Sequence, residues 1–182
     1  MAGATSGSSA STKGSLVPIA FLNCNNTVAA GFTNIPQNYQ DLRLVLSLLP
    51  NTSGNIVLDT LNGGIAFTGY NRWFYGNGAS GLSSSASYSG FIVLNPTGVG
   101  INTTGGMTLI IDFLDYKNTT RNKTIMWKIA SDQNGSGVVG MGVAQINSTQ
   151  AISSFNLSTQ NGGVYWVSPS RWTLYGIRSV NQ

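Results

Sequence analysis

The strongest constraint on this chain is a hydrophobic alternation of period two. Leu42, Leu44, Leu46 and Leu48 alternate with Arg43, Val45 and Ser47. Met107, Leu109, Ile111 and Phe113 share one parity against Thr108, Ile110 and Asp112; Ile125, Trp127 and Ile129 share another, and Trp172 and Leu174 oppose Thr173 and Tyr175. Successive side chains of a strand point to opposite faces, so each run has an apolar face and a mixed one. A short helix over 42–49 competes with this reading, but Pro50 and the strand-like runs around it favour β. The runs fall at 16–22, 28–33, 42–49, 55–61, 71–75, 89–94, 106–114, 123–130, 138–147, 151–158 and 171–177. Turn chemistry separates them: Asn62-Gly-Gly, Gly76-Asn-Gly, Asn134-Gly and Asn161-Gly-Gly. No long helical pattern interrupts the series. The expected fold is all-β: an antiparallel β-sandwich, jelly-roll-like, over residues 16–182 as a single domain. Residues 1–15, MAGATSGSSASTKGS, read as a flexible low-complexity N-terminal arm, either a native docking tether or vector-derived, with too little apolar surface to offset its ordering entropy.

At 182 residues such a domain buries roughly 70 % of its unfolded surface, enough to fold without disulfides or metals. Only 8 % of residues are charged, against about 25 % in an ordinary domain. So few charges usually cost solubility unless copies or partners cover much of the surface. Self-association is therefore expected, as a homotrimer. The net charge of +4 is too mild for a nucleic-acid partner. Its densest basic run is Lys117, Arg121, Lys123 and Lys128, where Lys123 and Lys128 have opposite parity and form no single stripe. These read as solvated loop and edge charges. The one cysteine, Cys24, reads as a small buried hydrophobe. No secretory signal pattern and no apolar span of membrane length is visible, so no membrane association is expected and synthesis in a cytoplasm is.

Catalytic chemistry is constrained by what the sequence omits. There is no histidine, so Ser-His-Asp sets, Cys-His sets and histidine-based zinc sites are impossible. Asp41, Asp59, Asp112, Asp115 and Asp132 are the only carboxylate side chains. Glycoside hydrolysis needs two facing carboxyls across the sugar. Asp112 and Asp115, the nearest pair in sequence, have odd spacing and read instead as a strand-end residue and a turn former. Gly135-Ser-Gly137-Val-Val-Gly140 matches G-x-G-x-x-G, but VVGMGVAQI after it reads as strand and no acidic residue follows. Asp132-Gln-Asn134-Gly-Ser136-Gly137 resembles half an EF-hand loop whose twelfth position is Val143 rather than glutamate. A hairpin turn accounts for both matches. No catalytic residue, metal site or cofactor is expected.

Two aromatic clusters remain. GYNRWFYGNG gathers Tyr70, Trp73, Phe74 and Tyr75 around Arg72, and VYWVSPSRW gathers Tyr165, Trp166 and Trp172. Exposed rings beside amides can stack on sugars. The commoner fate of such rings is a core or an intersubunit contact. Tyr70, Arg72, Trp73, Tyr75, Trp166 and Trp172 are therefore candidates for a glycan site or an interface.

The order of several segments carries a resemblance. FTNIPQNYQDLRLVLSL, IIDFLDYKNTTRNKTIMW, SDQNGSGVVGMG and ISSFNLSTQNGG with SPSRWTLYGI resemble a family of short tailed-bacteriophage and marine-metagenome virion structural proteins. Its recurring elements are an IPQ-Y-dL lead-in, a DY-N…K turn, a G-G loop and a closing LYGI, and the likeness spans roughly residues 30–178. It implies a non-enzymatic virion protein assembled in a host cytoplasm, with no catalytic residues to transfer. Having only a short arm where fibre proteins carry an anchoring domain, the chain is expected to be a capsid decoration or cement protein that docks on other virion proteins such as the major capsid protein. The alternative is a tail-fibre or receptor-binding module that recognises host surface glycans through exposed aromatics.

Overall fold

The computed structural model describes residues 16–52, 54–64, 69–76, 83–87, 92–94, 103–131, 137–159 and 166–179. Residues 1–15, read as an arm, and residues 132–136 and 160–165, on which the expected Asn134-Gly and Asn161-Gly-Gly turns fall, lie outside them. The described residues contain no helix, so none that could cross a membrane. Twelve strands run in chain order: β1 (Leu16–Asn23), β2 (Ala29–Phe32), β3 (Asp41–Leu48), β4 (Ile56–Leu61), β5 (Gly69–Gly76), β6 (Ser83–Ser87), β7 (Ile92–Val93), β8 (Met107–Leu114), β9 (Lys123–Ser131), β10 (Val138–Ile146), β11 (Phe155–Thr159) and β12 (Arg171–Ile177).

All pairings are antiparallel. One sheet has eight strands in the order β1-β12-β3-β8-β9-β10-β5-β6, the other four in the order β2-β11-β4-β7. Without the hairpins β5–β6 and β9–β10, the sheets reduce to β1-β12-β3-β8 facing β2-β11-β4-β7. That is the strand order of an eight-stranded jelly roll. The two hairpins are insertions that widen one sheet to twice the other.

The alternation read from the sequence is the burial pattern of the strands. β3 buries Leu42, Leu44, Leu46 and Leu48; β8 buries Met107, Leu109, Ile111 and Phe113; β9 buries Ile125, Trp127 and Ile129. Between the layers Phe155 of β11 stacks on Phe113 of β8 with centroids 4.7 Å apart and meets Phe32 of β2 at 5.6 Å. The core continues under the inserted hairpin: a side chain at Gly142 of β10 would overlap the Trp127 indole, so the missing Cβ lets the ring lie against the neighbouring strand.

Sequence and structure differ in three places. β6, SSSAS, lacks the apolar alternation that marks a strand, yet its backbone pairs with β5 from Asn71↔Ser87 to Tyr75↔Ser83. The run at 151–158 pairs only from Phe155, because upstream backbone groups bond elsewhere: Ile152 N–H donates to Tyr116 O (2.9 Å), and Ser153 and Ser154 N–H donate to Asn62 Oδ1 (2.7 and 3.2 Å). Of the run at 89–94, Ile92–Val93 is strand.

Candidate interaction face

Residues 35–41, 115–121, 152 and 176–177, drawn from several of the segments quoted above, meet at one corner of the sandwich. Ile35 is buried, and Gln37 Nε2 donates to the carbonyls of Ile35 (2.9 Å) and Ile152 (3.0 Å). The buried Tyr116 hydroxyl donates to Pro36 O, and burial pushes its phenol up from the ordinary tyrosine value. Asp41 Oδ1 accepts from Asp115 N–H at 2.6 Å, holding Asp115 at φ 48° where the chain reverses. Gln40 N–H donates to Ile177 O (2.8 Å). Asn118 ties the following loop by accepting from the N–H groups of Thr120 (2.7 Å) and Arg121 (3.1 Å).

Lys123 closes this corner and corrects the sequence reading. Its parity places it on the inner face of β9, and it is 1 % exposed rather than solvated. Its ammonium donates to the carbonyls of Asn118, Arg121 (3.1 Å) and Thr149 (3.4 Å), spanning two loops. Burial pushes it below the ordinary lysine value and nearby Asp115 opposes that shift. Lys128, five residues on and on the opposite face, is exposed, and it sits on an interior strand rather than an edge.

Gly176 in LYGI is explained by the same corner, since a Cβ there would overlap the Tyr39 ring. Gly176→Ala is expected to lower stability by about 1–3 kcal/mol through overpacking. In a Tyr39→Ala background the same change should cost far less, and a double-mutant cycle from urea unfolding checks the coupling. The motifs thus hold the fold together. Their carboxylates are engaged as backbone acceptors and turn formers, not arranged as a facing pair.

The aromatic candidates separate. Trp166 and Trp172 are both 0 % exposed and pack edge to face with centroids 4.8 Å apart. They cannot stack on a glycan or meet a partner from inside the core, so the site role considered for them is corrected to a packing role. Arg72 is exposed and Tyr75 half-buried against the core. Tyr70 and Trp73 lie on β5, but their side chains are outside the described residues. Cys24 is free and buried, as read, and burial raises its thiol.

The outer face of the widened sheet is the surface most unlike ordinary solvent-facing structure. Val139 (65 % exposed), Met141 (56 %), Phe74 (50 %), Met126 (45 %) and Val143 (41 %) all project there. Strand register sets them in cross-strand rows. One row runs Phe74, Met141, Lys128, Ile110; the next runs Arg72, Val143, Met126, Asp112, Arg43. Between them lies an open dent of about 210 Å³, lined by both rows. Asp112 accepts from Arg43 Nε (2.7 Å) and Nη2 (2.9 Å), a bidentate pair that also raises the guanidinium's value. The aliphatic and methionine positions of this patch gave no signal as a site, because only the long-range pairing of β5 with β10 brings them beside Arg72.

The described residues contain no group of three or more metal-ligating side chains. No protein-family model matches the chain, and no curated protein sequence does. A solved structure, human GIVD cytosolic phospholipase A2 in complex with methyl gamma-linolenyl fluorophosphonate inhibitor and terbium chloride, aligns with 82 % of this chain and 33 % of its own at 7 % identity and a TM-score of 0.12. The chain thus spans a third of that protein, and a likeness this slight carries no argument.

Proposed function

We propose that this chain is a non-enzymatic structural protein of a tailed-bacteriophage virion, a capsid decoration or cement protein that associates with copies of itself and docks on the particle. The observation that carries the docking part of this reading is the exposed apolar outer face of the eight-stranded sheet; the virion part rests on the sequence resemblance and self-association on the low charge. Antiparallel sheets that face water on one side normally alternate apolar-in with polar-out. Here the outward parity of β10 reads Val139, Met141, Val143. An apolar patch of this kind marks a contact site, and a chain with 8 % charged residues has little else to keep such a face in solution. The jelly roll is also a capsid-domain architecture, a supporting analogy only, since one fold hosts many functions. The burial of Trp166 and Trp172 removes two rings from the glycan-binding alternative.

Copy number and mass test this reading. A decoration protein should be present in hundreds of copies in the purified particle, by quantitative mass spectrometry against the major capsid protein. Light scattering at micromolar concentration should give a multiple of the 19.1 kDa chain mass. A few copies per particle would refute decoration, and a monomer would refute self-association.

A further inference from the structure

The apolar outer face invites two occupants: a second copy of this chain, or a different partner. Charge decides between them. The dent is lined by Arg72, Lys128 and a single carboxylate, Asp112. Both Asp112 oxygens are engaged by Arg43. Arg72 and Lys128 have no carboxylate partner among the described residues, where Arg43–Asp112 is the one ion pair. Stacking this face on itself would press unpaired cations toward unpaired cations in a dry contact, which is costly. An incoming carboxylate would neutralise them at the moment the surrounding apolar side chains are covered.

From this we infer that the β8–β9–β10–β5 face docks an extended segment of another protein whose apolar side chains flank a carboxylate, the carboxylate lying between Arg72 and Lys128. The inference rests on the docking part of the proposed function and names its partner chemistry. The patch also fits a polypeptide better than a sugar. Four strands about 4.8 Å apart, with about six residues each, span roughly 400 Å², room for several residues of an extended segment. Met126 and Met141 are flexible, polarizable side chains that mould to a partner's side chains. Opposite charge would also steer the encounter, giving a salt-sensitive association rate.

The test uses the full chain and two labelled probe peptides, Leu-Phe-Asp-Leu-Asp-Phe-Leu and its Asn-for-Asp counterpart, read by fluorescence anisotropy. The acidic peptide should bind at least tenfold tighter than the neutral one. Lys128→Glu and Met141→Asp should each weaken it at least tenfold with unchanged thermal melting, and raising the salt should weaken it further. Equal binding of the two peptides, or indifference to Lys128→Glu, overturns the inference. So does a uronic-acid oligosaccharide that displaces the labelled acidic peptide at concentrations where the unlabelled acidic peptide does not, which would assign the face to an acidic glycan. Met141→Asp converting an oligomer to monomers while peptide binding persists would assign it to a second copy. Failure of the proposed function reads differently: the wild-type chain would then be missing from particles while still discriminating the two peptides.

Discussion

Replacing Lys123 with alanine is expected to remove about 2–4 kcal/mol of stability, a large share of the roughly 5–15 kcal/mol that holds a domain of this kind folded. The lysine is 1 % exposed and its ammonium bridges the carbonyls of Asn118, Arg121 and Thr149. Removing it strips three acceptors of their donor and opens a hole where the stem packed. Each orphaned acceptor costs about 1–3 kcal/mol when water cannot reach it. Arg121 and Thr149 are themselves exposed, so water recovers part of that cost. Lys123→Met keeps most of the stem and isolates the hydrogen bonds; it should fall between wild type and the alanine variant. The pH dependence has a fixed sign. Burial lowers the folded-state value below the ordinary 10.5, so between those two values the unfolded chain binds more protons than the native one. The contribution of Lys123 to stability therefore rises with pH across that window. Urea unfolding at pH 8 and pH 10 should show wild type gaining on Lys123→Met, and a gap that narrows with pH would reverse this assignment.

Lys123 also marks the boundary of what the sequence discloses. Its parity with Ile125, Trp127 and Ile129 pointed inward, while its residue type pointed outward, and residue type governed the reading. Only the loops at 118–121 and 149, folded back over the strand end, show how an inward lysine is satisfied. The main strands were legible because one buried face imposes strict alternation, and β3, β8, β9 and β12 each carry it. β6 was illegible for the converse reason: serines carry no apolar parity, and pairing there is a backbone matter with β5. The corner formed by Pro36, Asp41, Asp115, Tyr116 and Gly176 was visible as motifs but not as contacts. Its partners include Gln37 and Ile152, 115 residues apart along the chain. The outer patch was hidden in the same way, since strand pairing between β5 and β10 is a long-range fact.

The tryptophan pair gives the second large effect, at the part of the core beneath the β1–β2 connection and the end of β3. Trp166 lies outside the named strands. Its N–H donates to Thr27 O at 2.9 Å and its carbonyl accepts from Thr27 N–H at 3.2 Å, while Val167 N–H donates to Leu49 O at 2.9 Å. The backbone around it thus stitches the β1–β2 connection to the end of β3. Trp172 of β12 packs against it from the sheet, with rings at 66°. Trp172→Ala should cost about 3–5 kcal/mol, the transfer and cavity terms for a buried large aromatic, and bring the chain to the edge of unfolding at room temperature. Trp172→Phe should cost much less. Among the described residues neither Trp166 Nε1 nor Trp172 Nε1 has a hydrogen-bond acceptor, so phenylalanine gives up no acceptor found there while keeping a ring against Trp166. Equilibrium unfolding followed by circular dichroism orders the variants as wild type, Phe, then Ala. A Phe variant as damaged as the Ala variant would mean that a donor contact of the indole, rather than its volume, holds the two sheets together at this end.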